Sequence, residues 1–548
     1  MSLSFKIFDS LYNPADRRRQ PSECKKFSCF SNETLSFQLI AENDGESVWD
    51  CSLEIASDLP VRARREELVP AGFLMHPWSD DYVFTKDQHV FYDYLTPLNT
   101  GRFCLRGGFR NAYWFTVGGE DLPAGRHKIL LTVKDGAGEV LVQKEIAVTV
   151  YPQKLPESDL AVTNWMHYDC ICNYYGVSPF SEKFWTLTGA FIRSAVEHGI
   201  NTSYVPMFTP PLDTAVGKER RTIQLIDVKA ENGKYSFGFD KFDRFISIAE
   251  GCGVKYFEMS HLFTQWGARA CPKIIADTPE GEKRIFGWDT PSDSAEYTSF
   301  LESFLPSLEA HITALGIKDR TFVHISDEPN EKCIDLYARH KALFRRLIPD
   351  LKHIDALSEI AYLDRKLVDI PVAASNAAAP FIASGAEYWA YYCTSQCTSY
   401  VSNRLMNMPH ARNRVLGVQL YQSGAKGFLQ WGFNFYNTYL SHETVNPFLV
   451  TDAGGGFQSG DAFIVYPAPD GVYDSPRYEV FREAMQDYRV LMLLEKYIGR
   501  PAVLDFLKEE GIEGYSVYPR GAKPLLSLRK KAEALIASAS RKADNRSQ

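Results

Sequence analysis

The sequence lacks several features that define large classes of protein. No apolar run approaches the ~20 residues of a membrane-spanning helix, and the first residues lack the basic stretch and apolar core of a secretory signal peptide. At the predicted strand ends there is no glycine-rich phosphate loop and no basic cluster that would hold a phosphate. The net charge of −8 argues against a nucleic-acid partner. These absences predict a cytoplasmic protein that binds neither nucleic acid nor a membrane.

The cysteines do not form a recognisable framework. There are 11 of them, an odd number, and they are scattered along the chain, which is typical of a reduced set. The close pairs Cys170/Cys172 and Cys393/Cys397 have no matching His or Cys group nearby. We therefore expect neither a metal site nor a cofactor.

The chain is too long for one hydrophobic core, and its pattern changes twice. Residues 1–155 show short alternating apolar and polar runs separated by turn signals, which predicts a β-sandwich domain with a supporting role. The predicted strands there include Leu35–Ile40, Cys51–Ile55, Asn111–Val117, His127–Val133 and a closing pair of segments within Glu139–Val150. Residues 476–548 predict C-terminal helices packed on the preceding domain.

Between them, residues 156–475 alternate between strand and helix patterns, which predicts a (β/α)₈ barrel as the catalytic domain. The candidate strands are Ala161–His167, Asn201–Met207, Val254–Ser260, Arg320–Ser326, His353–Leu357, Val372–Ser375, Tyr388–Tyr392 and Gly427–Trp431. The clearest helices are Ser181–His198, Asp240–Gly251, Ala295–Gly316, Glu331–Ile348 and Ser402–Ser423. Two weakly helical connections leave the strand count open by one, and residues 210–239 and 271–291 predict excursions above the barrel.

The fourth predicted strand ends in two adjacent carboxylates. The stretch Arg320-Thr-Phe-Val-His-Ile-Ser-Asp-Glu-Pro-Asn330 is an apolar run that stops at Pro329. Asp327 and Glu328 repel each other at this distance, so one of them is expected to stay protonated. A protonated and an ionised carboxyl side by side suit the chemistry of glycosidases. The alternative is a cap for the helix that starts near Asn330.

The other strand ends supply aromatic and amide side chains. Barrel active sites lie where the strands end, and sugars are bound by aromatic faces and by hydrogen-bonding groups. The candidate substrate-binding residues are Asn164, His261, Trp389, Tyr391, Tyr392, Gln430, Trp431 and Asn434. Trp266 after the third strand is interpreted as a plug of the barrel mouth.

A second carboxylate, placed to attack across the sugar ring, is not evident. A double-displacement glycosidase needs one about 5–5.5 Å from the acid. The carboxylate of the seventh strand, Glu387, lies at the wrong end of that strand, which finishes with Tyr391 and Tyr392. A 2-acetamido group of the substrate could act as the nucleophile instead. Glu359, after the fifth strand, is the one carboxylate that could supply this second group and make a nucleophile from the substrate unnecessary.

Four motifs together resemble glycoside hydrolase family 123 over residues 158–500. They are His324-Ile-Ser-Asp-Glu-Pro329, Gln430-Trp-Gly-Phe-Asn434, Gly460-Asp-Ala-Phe-Ile-Val-Tyr-Pro467 and Arg482-Glu-Ala-Met-Gln-Asp-Tyr488. The resemblance implies a β-N-acetylgalactosaminidase that retains configuration by substrate assistance.

By the same resemblance, Asp327 would polarise the acetamido group and Glu328 would be the general acid/base. Trp431 would be a wall of the pocket, and Tyr391 or Tyr392 would bind the acetamido carbonyl. The resemblance also suggests that Asp461 reaches a sugar hydroxyl.

The sequence therefore predicts an exo-acting glycoside hydrolase. Its expected substrate is an oligosaccharide or glycoconjugate that ends in a β-linked N-acetylhexosamine, with N-acetylgalactosamine favoured. One alternative is a glycosidase for a sugar without the acetamide, in which Glu328 works with Glu359 or a water. The other is a carbohydrate-binding protein on a glycosidase barrel, without turnover.

Overall fold

The computed structural model describes residues 3–16, 18, 21–98, 101–119 and 121–547. The N-terminal region consists of two five-stranded sheets, with strand orders β1-β3-β8-β5-β6 and β2-β10-β9-β4-β7. The strands are β1 (Leu3–Asp9), β2 (Lys26–Phe30), β3 (Leu35–Asn43), β4 (Val48–Ser57), β5 (Val61–Ala71), β6 (His89–Pro97), β7 (Arg102–Leu105), β8 (Phe109–Val117), β9 (Gly125–Lys134) and β10 (Val140–Tyr151).

Side chains of both sheets share one hydrophobic cluster. Phe37 and Phe115 of the first sheet stack with ring centroids 5.0 Å apart, and they belong to the same cluster as Ile129 and Ile146 of the second sheet. The predicted closing pair of segments in 139–150 is wrong. The residues form the single strand β10, which pairs with β9 along its length and takes up the irregularity as one shift of register.

Eight parallel strands close into a barrel, which confirms the predicted count. The first and last barrel strands pair in register, so the sheet has no free edge. The strands are β11 (Ala161–Asn164), β12 (Thr202–Val205), β15 (Tyr256–Met259), β18 (Thr321–Val323), β19 (Lys352–Leu357), β20 (Ile370–Ala374), β21 (Trp389–Tyr391) and β22 (Gly427–Gln430).

The two predicted excursions form a sheet of their own. The connections after β12 and β15 each contain a hairpin, and the two hairpins join in the order β14-β13-β16-β17. A further hairpin follows the barrel. These strands are β13 (Asp227–Glu231), β14 (Lys234–Gly238), β16 (Ile274–Thr278), β17 (Gly281–Phe286), β23 (Val465–Ala468) and β24 (Gly471–Asp474).

Helices cover the barrel and continue beyond it. They are α1 (Tyr168–Tyr175), α2 (Glu182–Glu197), α3 (Asp240–Gly251), α4 (Ala295–Ala314), α5 (Ile334–Leu347), α6 (Ala361–Asp364), α7 (Ala379–Ser384), α8 (His410–Arg414), α9 (Leu416–Ser423), α10 (Pro476–Ile498), α11 (Arg500–Glu509) and α12 (Ala522–Ser547). Within the described residues, no helix combines the length and apolar character needed to cross a membrane.

The predicted helix at 402–423 is wrong in its first half. Residues 402–409 are not helical, and α8 begins only after Pro409. A proline has no N–H to donate and disfavours helical backbone in the residue before it. The buried Arg404 in this irregular segment reaches back to the strand ends instead, where its guanidinium donates to Asn164 Oδ1 at 2.8 Å.

The interior of the barrel is filled below the mouth. Trp389 of β21 lies edge-on to Phe322 of β18, with ring centroids 4.9 Å apart. Gly427, opposite Trp389 in the β21–β22 register, is required by this packing. A Cβ at position 427 would lie 2.2 Å from the Trp389 ring.

The N-terminal sheets are joined to the barrel through α10. The buried Asp93 of β6 accepts two hydrogen bonds from Arg477 of α10, each of 2.7 Å. The loop after β5 reaches the barrel as well, because Leu74 O accepts a 2.6 Å hydrogen bond from Gln458 Nε2. Buried ion pairs across this contact fix the sheets relative to the barrel mouth.

Candidate active site

The adjacent carboxyls lie at the mouth of the barrel, directly after β18. Asp327 and Glu328 are both half-buried. Glu328 has φ +42°, in the left-handed region that non-glycine residues rarely adopt, so the backbone turns sharply at this residue. The turn lets two sequence neighbours serve one site, which extended backbone would not allow. The hydroxyl of Tyr391, at the end of β21, donates to Glu328 Oε1 at 2.6 Å.

A buried network supports the pair from below. His324, three residues before Asp327, bonds Glu258 Oε1 at 2.6 Å and Asp355 Oδ1 at 2.8 Å. These carboxylates raise the pKa of His324 to about 9, although burial opposes the shift. The imidazole is therefore an internal cation between two anions. Trp165 also donates its Nε1–H to Glu258, at 2.7 Å.

Asp355 also holds the backbone that carries the pair. Its Oδ2 accepts from the N–H groups of Ile325 and Ser326, at 3.2 and 3.1 Å. The same oxygen accepts from Tyr337 at 2.5 Å and bonds His353 at 2.9 Å. Burial would raise the pKa of Asp355, but the charges of His353 and His324 and the hydrogen bonds from them hold it well below its usual range.

Two further carboxyls belong to the electrostatics of the pair. Burial raises the pKa of Asp213 to about 7, with smaller contributions from Asp461 and Glu328. Burial also raises the pKa of Asp461 to about 6. Asp461 Oδ2 accepts a 3.0 Å hydrogen bond from Trp431 Nε1, which fixes the indole beside the mouth.

The pair itself is poised to retain a proton. Burial, and then the charges of Glu328 and Asp213, raise the pKa of Asp327 well above its usual range. Burial raises the pKa of Glu328 too, although the hydrogen bond from Tyr391 opposes the shift. Because each carboxyl disfavours ionisation of the other, the two titrate as a unit.

Aromatic side chains form the walls around these carboxyls. Trp165, Tyr204, Leu212 and Tyr391 belong to the cluster that fills the barrel interior, and the half-buried Trp431 packs against it. A mouth lined by aromatic faces and carboxyls can stack on the C–H face of a sugar and accept hydrogen bonds from its hydroxyls.

Four of the predicted site residues meet at this mouth. The structure brings together Asp327, Glu328, Tyr391 and Trp431, with Asp461 behind Trp431. Asp213 was missed by the sequence analysis. It lies in the predicted excursion of residues 210–239, eight residues after the end of β12, and no motif distinguishes it there.

Three predicted residues point away from the mouth. Tyr392 packs against Phe428 in the cluster between barrel and helices, with ring centroids 5.0 Å apart. Gln430 and Asn164 both accept hydrogen bonds from the buried Arg404. Successive residues of a strand point to opposite faces, and each of these three residues is next to one that faces the barrel interior. Each of the three therefore points outward.

The remaining predicted residues lie below or beside the mouth. Trp389 is in the barrel interior. The buried His261 bonds the Tyr204 hydroxyl at 3.0 Å and stacks on His324. Both ends of the Asn434 amide bond the backbone of His167, at 2.8 and 3.1 Å, and clamp two loops together.

Among the described residues, two groups each bring three side chains of metal-binding types close together. One is His261, His324 and Asp355, and the other is His198, Asp474 and Glu479. Both ring nitrogens of His324 are already bonded to carboxylates, so the first group is a hydrogen-bonded network. The second contains Glu479, which pairs with Arg64 at 2.6 Å.

A closed parallel barrel with a carboxyl pair at its strand-end mouth fits the class of barrel glycoside hydrolases. The sequence model described as glycoside hydrolase 123, catalytic domain, matches residues 165–494. The chain belongs to this family.

One solved structure agrees with the fold over the whole chain. A family 123 glycoside hydrolase from Clostridium perfringens, studied for glycolipid glycan hydrolysis, superposes with a TM-score of 0.75 at 14% sequence identity, covering 99% of each chain. The β-glucuronidase of Parabacteroides merdae gives a TM-score of 0.32 at 10% identity, over 88% of this chain and 52% of that one. A TM-score of 0.32 does not establish a shared fold. A comparison with curated proteins gives no match.

The first prediction concerns the charge of Asp213. We expect Asp213→Asn to lower the pKa of Asp327, because an anion that disfavours its ionisation is removed. The pair then loses its last proton at lower pH. In the pH dependence of kcat/KM for glycoside hydrolysis, the limb at high pH should move to lower pH.

The control is Asp277→Asn, which removes the same charge from the exposed face of β16. Its profile should coincide with that of the unmodified protein. A high-pH limb that stays in place in Asp213→Asn, or moves to higher pH, would contradict the electrostatic role of Asp213.

Proposed function

We propose that this protein is a retaining exo-glycoside hydrolase that removes a terminal β-linked N-acetylhexosamine, N-acetylgalactosamine in particular, by substrate assistance. The observation that carries the proposal is the placement of Asp327 and Glu328 on one turn at the barrel mouth, with Tyr391 bonded to Glu328. Membership of family 123 supports glycosidase chemistry as the reaction class.

The arrangement of carboxyls favours a nucleophile from the substrate. Two neighbours on one turn stand on the same side of a bound sugar, so they are poorly placed to attack from opposite faces. Glu359 follows β19 and lies within the electrostatic influence of Glu331. Its pKa is raised by burial and then by the charge of Glu331, which precedes α5, and its Oε2 has no hydrogen-bond partner among the described residues.

In the proposed first step, the acetamido carbonyl oxygen attacks the anomeric carbon while Glu328 donates its proton to the leaving oxygen. The bond between that carbon and the leaving oxygen breaks, and a cyclic oxazolinium intermediate forms. Asp327 accepts a hydrogen bond from the acetamido N–H, which stabilises the positive charge on nitrogen. In the second step a water, deprotonated by Glu328, opens the ring with overall retention.

In this mechanism, substrate binding moves the proton shared by the pair from Asp327 to Glu328. In the empty site the burial and charge effects are larger on Asp327. An acetamido N–H that donates to Asp327 favours its ionised form, so the proton of the pair then rests on Glu328. Glu328 thus becomes the acid, and Asp327 the anion, only when the acetamido group is present.

Tyr391, rather than Tyr392, is the tyrosine proposed to orient the acetamido carbonyl. Its hydroxyl already lies 2.6 Å from Glu328 Oε1, whereas Tyr392 is buried against Phe428. Trp431 is proposed as the stacking wall of the sugar pocket, and Asp461, which holds its indole N–H, accepts from a sugar hydroxyl.

The proposed substrate is the terminal sugar of an oligosaccharide or glycoconjugate. The Clostridium perfringens enzyme, studied for glycolipid glycan hydrolysis, supports this class. We further propose the boundaries 1–155, 156–475 and 476–548 for a β-sandwich, the catalytic barrel and the C-terminal helices, and a cytoplasmic location.

The experiment that tests this function compares three aryl glycosides: β-N-acetylgalactosaminide, β-N-acetylglucosaminide and β-galactoside. We expect turnover of the acetamido sugars alone, with the galactosaminide fastest. We expect Glu328→Gln to lower kcat/KM by at least about 100-fold for sugar leaving groups that need protonation. Circular dichroism should show that this variant is folded.

Other outcomes would favour the alternatives. Turnover of the plain galactoside would overturn substrate assistance and point to Glu359 or a water. A protein that binds the sugars without turnover, and whose affinity survives Glu328→Gln and Asp327→Asn, would be a carbohydrate-binding protein.

The two neighbouring tyrosines give a matched pair of variants. We expect Tyr391→Phe to lower kcat by about 10²–10³-fold, the usual effect of removing one donor that stabilises a transition state. Tyr392→Phe removes the same hydroxyl from a site outside the barrel and should leave kcat within about twofold. Equal losses in the two variants would contradict the assignment of Tyr391.

A further inference from the structure

Exposed apolar side chains cluster at the barrel mouth beside the carboxyl pair. Val216, Trp266 and Tyr439 are 81%, 44% and 40% exposed. They lie on the loops that follow β12, β15 and β22. In the closed barrel β12 and β15 are neighbours, and β11 alone separates β12 from β22, so the three loops leave one side of the mouth.

Trp266 is attached directly to the backbone of the pair. The backbone N–H of Trp266 donates to Asp327 O at 2.9 Å. Its φ of +60° lies in the left-handed region, where a bulky residue is strained. The neighbouring Gln265 anchors the turn, because its Nε2 donates to Thr214 O at 3.2 Å. These contacts fix the backbone of Trp266 at the mouth, while much of its side chain is accessible to solvent.

The other two side chains connect the rim to the pocket wall. Ala215, next to Val216, donates its N–H to Leu440 O at 3.1 Å, which joins the loop after β12 to the loop that carries Tyr439. Tyr439 then contacts Phe457, and Phe457 contacts Trp431, with ring centroids 5.3 and 4.9 Å apart. Apolar surface therefore continues from Trp431 out to the rim.

We propose that Trp266, flanked by Val216 and Tyr439, is a second sugar-binding subsite that takes the leaving-group side of the substrate. The inference rests on the proposed function. Glu328 protonates the glycosidic oxygen, so the sugar that departs lies on the solvent side of this carboxyl. The backbone N–H of Trp266 is bonded to Asp327, the residue beside Glu328, so its half-exposed side chain starts from this point of the mouth.

The occupant is a neutral pyranose ring, whose C–H face can stack on the exposed indole. A lipid or peptide portion of a glycoconjugate then lies beyond this ring. The subsite makes a disaccharide a better substrate than a simple alkyl glycoside of the same terminal sugar.

The test compares methyl β-N-acetylgalactosaminide with a disaccharide in which β-linked N-acetylgalactosamine is joined to galactose. We expect Trp266→Ala to lower kcat/KM about tenfold for the disaccharide, which corresponds to about 1.4 kcal/mol. The value for the methyl glycoside should stay within about twofold. The control Trp49→Ala, which truncates a 70% exposed tryptophan of β4, should change neither value.

A binding measurement tests the sugar-binding subsite independently of the proposed catalytic function. In the Glu328→Gln background, calorimetry should show that the disaccharide binds more tightly than the methyl glycoside, and that Trp266→Ala abolishes the difference. Equal losses on both substrates, or no loss on either, would overturn the subsite while the proposed function stands. An unmodified protein that cleaves neither substrate would refute the function, and equal binding of the two sugars would then overturn the subsite as well.

Discussion

The buried ion cluster of Glu258, His324 and Asp355 is the constraint on which the site depends. Asp355 accepts from two consecutive backbone N–H groups, Ile325 and Ser326, and thereby fixes the chain just before the carboxyl pair. A buried carboxylate with several donors has one low-energy arrangement, and an imidazolium between two carboxylates cannot rotate without leaving a charge unpaired. The turn at Glu328 is therefore held in a conformation that its own φ disfavours.

Above this cluster lies a layer of carboxyls. Four carboxyls, Asp213, Asp327, Glu328 and Asp461, influence one another at the mouth, and burial raises the pKa of each. Burial, and then the repulsion between these carboxyls, favours retention of a proton, which a general acid requires. The positive charge of His324 acts in the opposite direction on Asp327 and limits the rise in its pKa. The two layers together set which carboxyl ionises first.

Much of this could be predicted from the sequence, because the barrel strands and the turn after β18 are local patterns. The period of two along a strand would also have separated Tyr391 from Tyr392, since the inward-facing Trp389 fixes the phase of β21. The role of Asp213 and the exposed position of Trp266 could not be predicted from the sequence. They depend on how distant loops meet, such as the contact between residues 215 and 440. Arg404 was missed because its helix, predicted from residue 402, does not begin until residue 410.

The central claim is that the substrate supplies the nucleophile. The most direct test is a series of aryl β-N-acetylgalactosaminides whose acetyl group carries zero, one, two or three fluorine atoms. Fluorine withdraws electrons from the carbonyl oxygen and makes it a poorer nucleophile while changing its size little. The account predicts that log kcat/KM falls steeply and progressively with each fluorine. A nearly constant kcat/KM across the series would show that a group of the protein or a water attacks the anomeric carbon, and would contradict the mechanism.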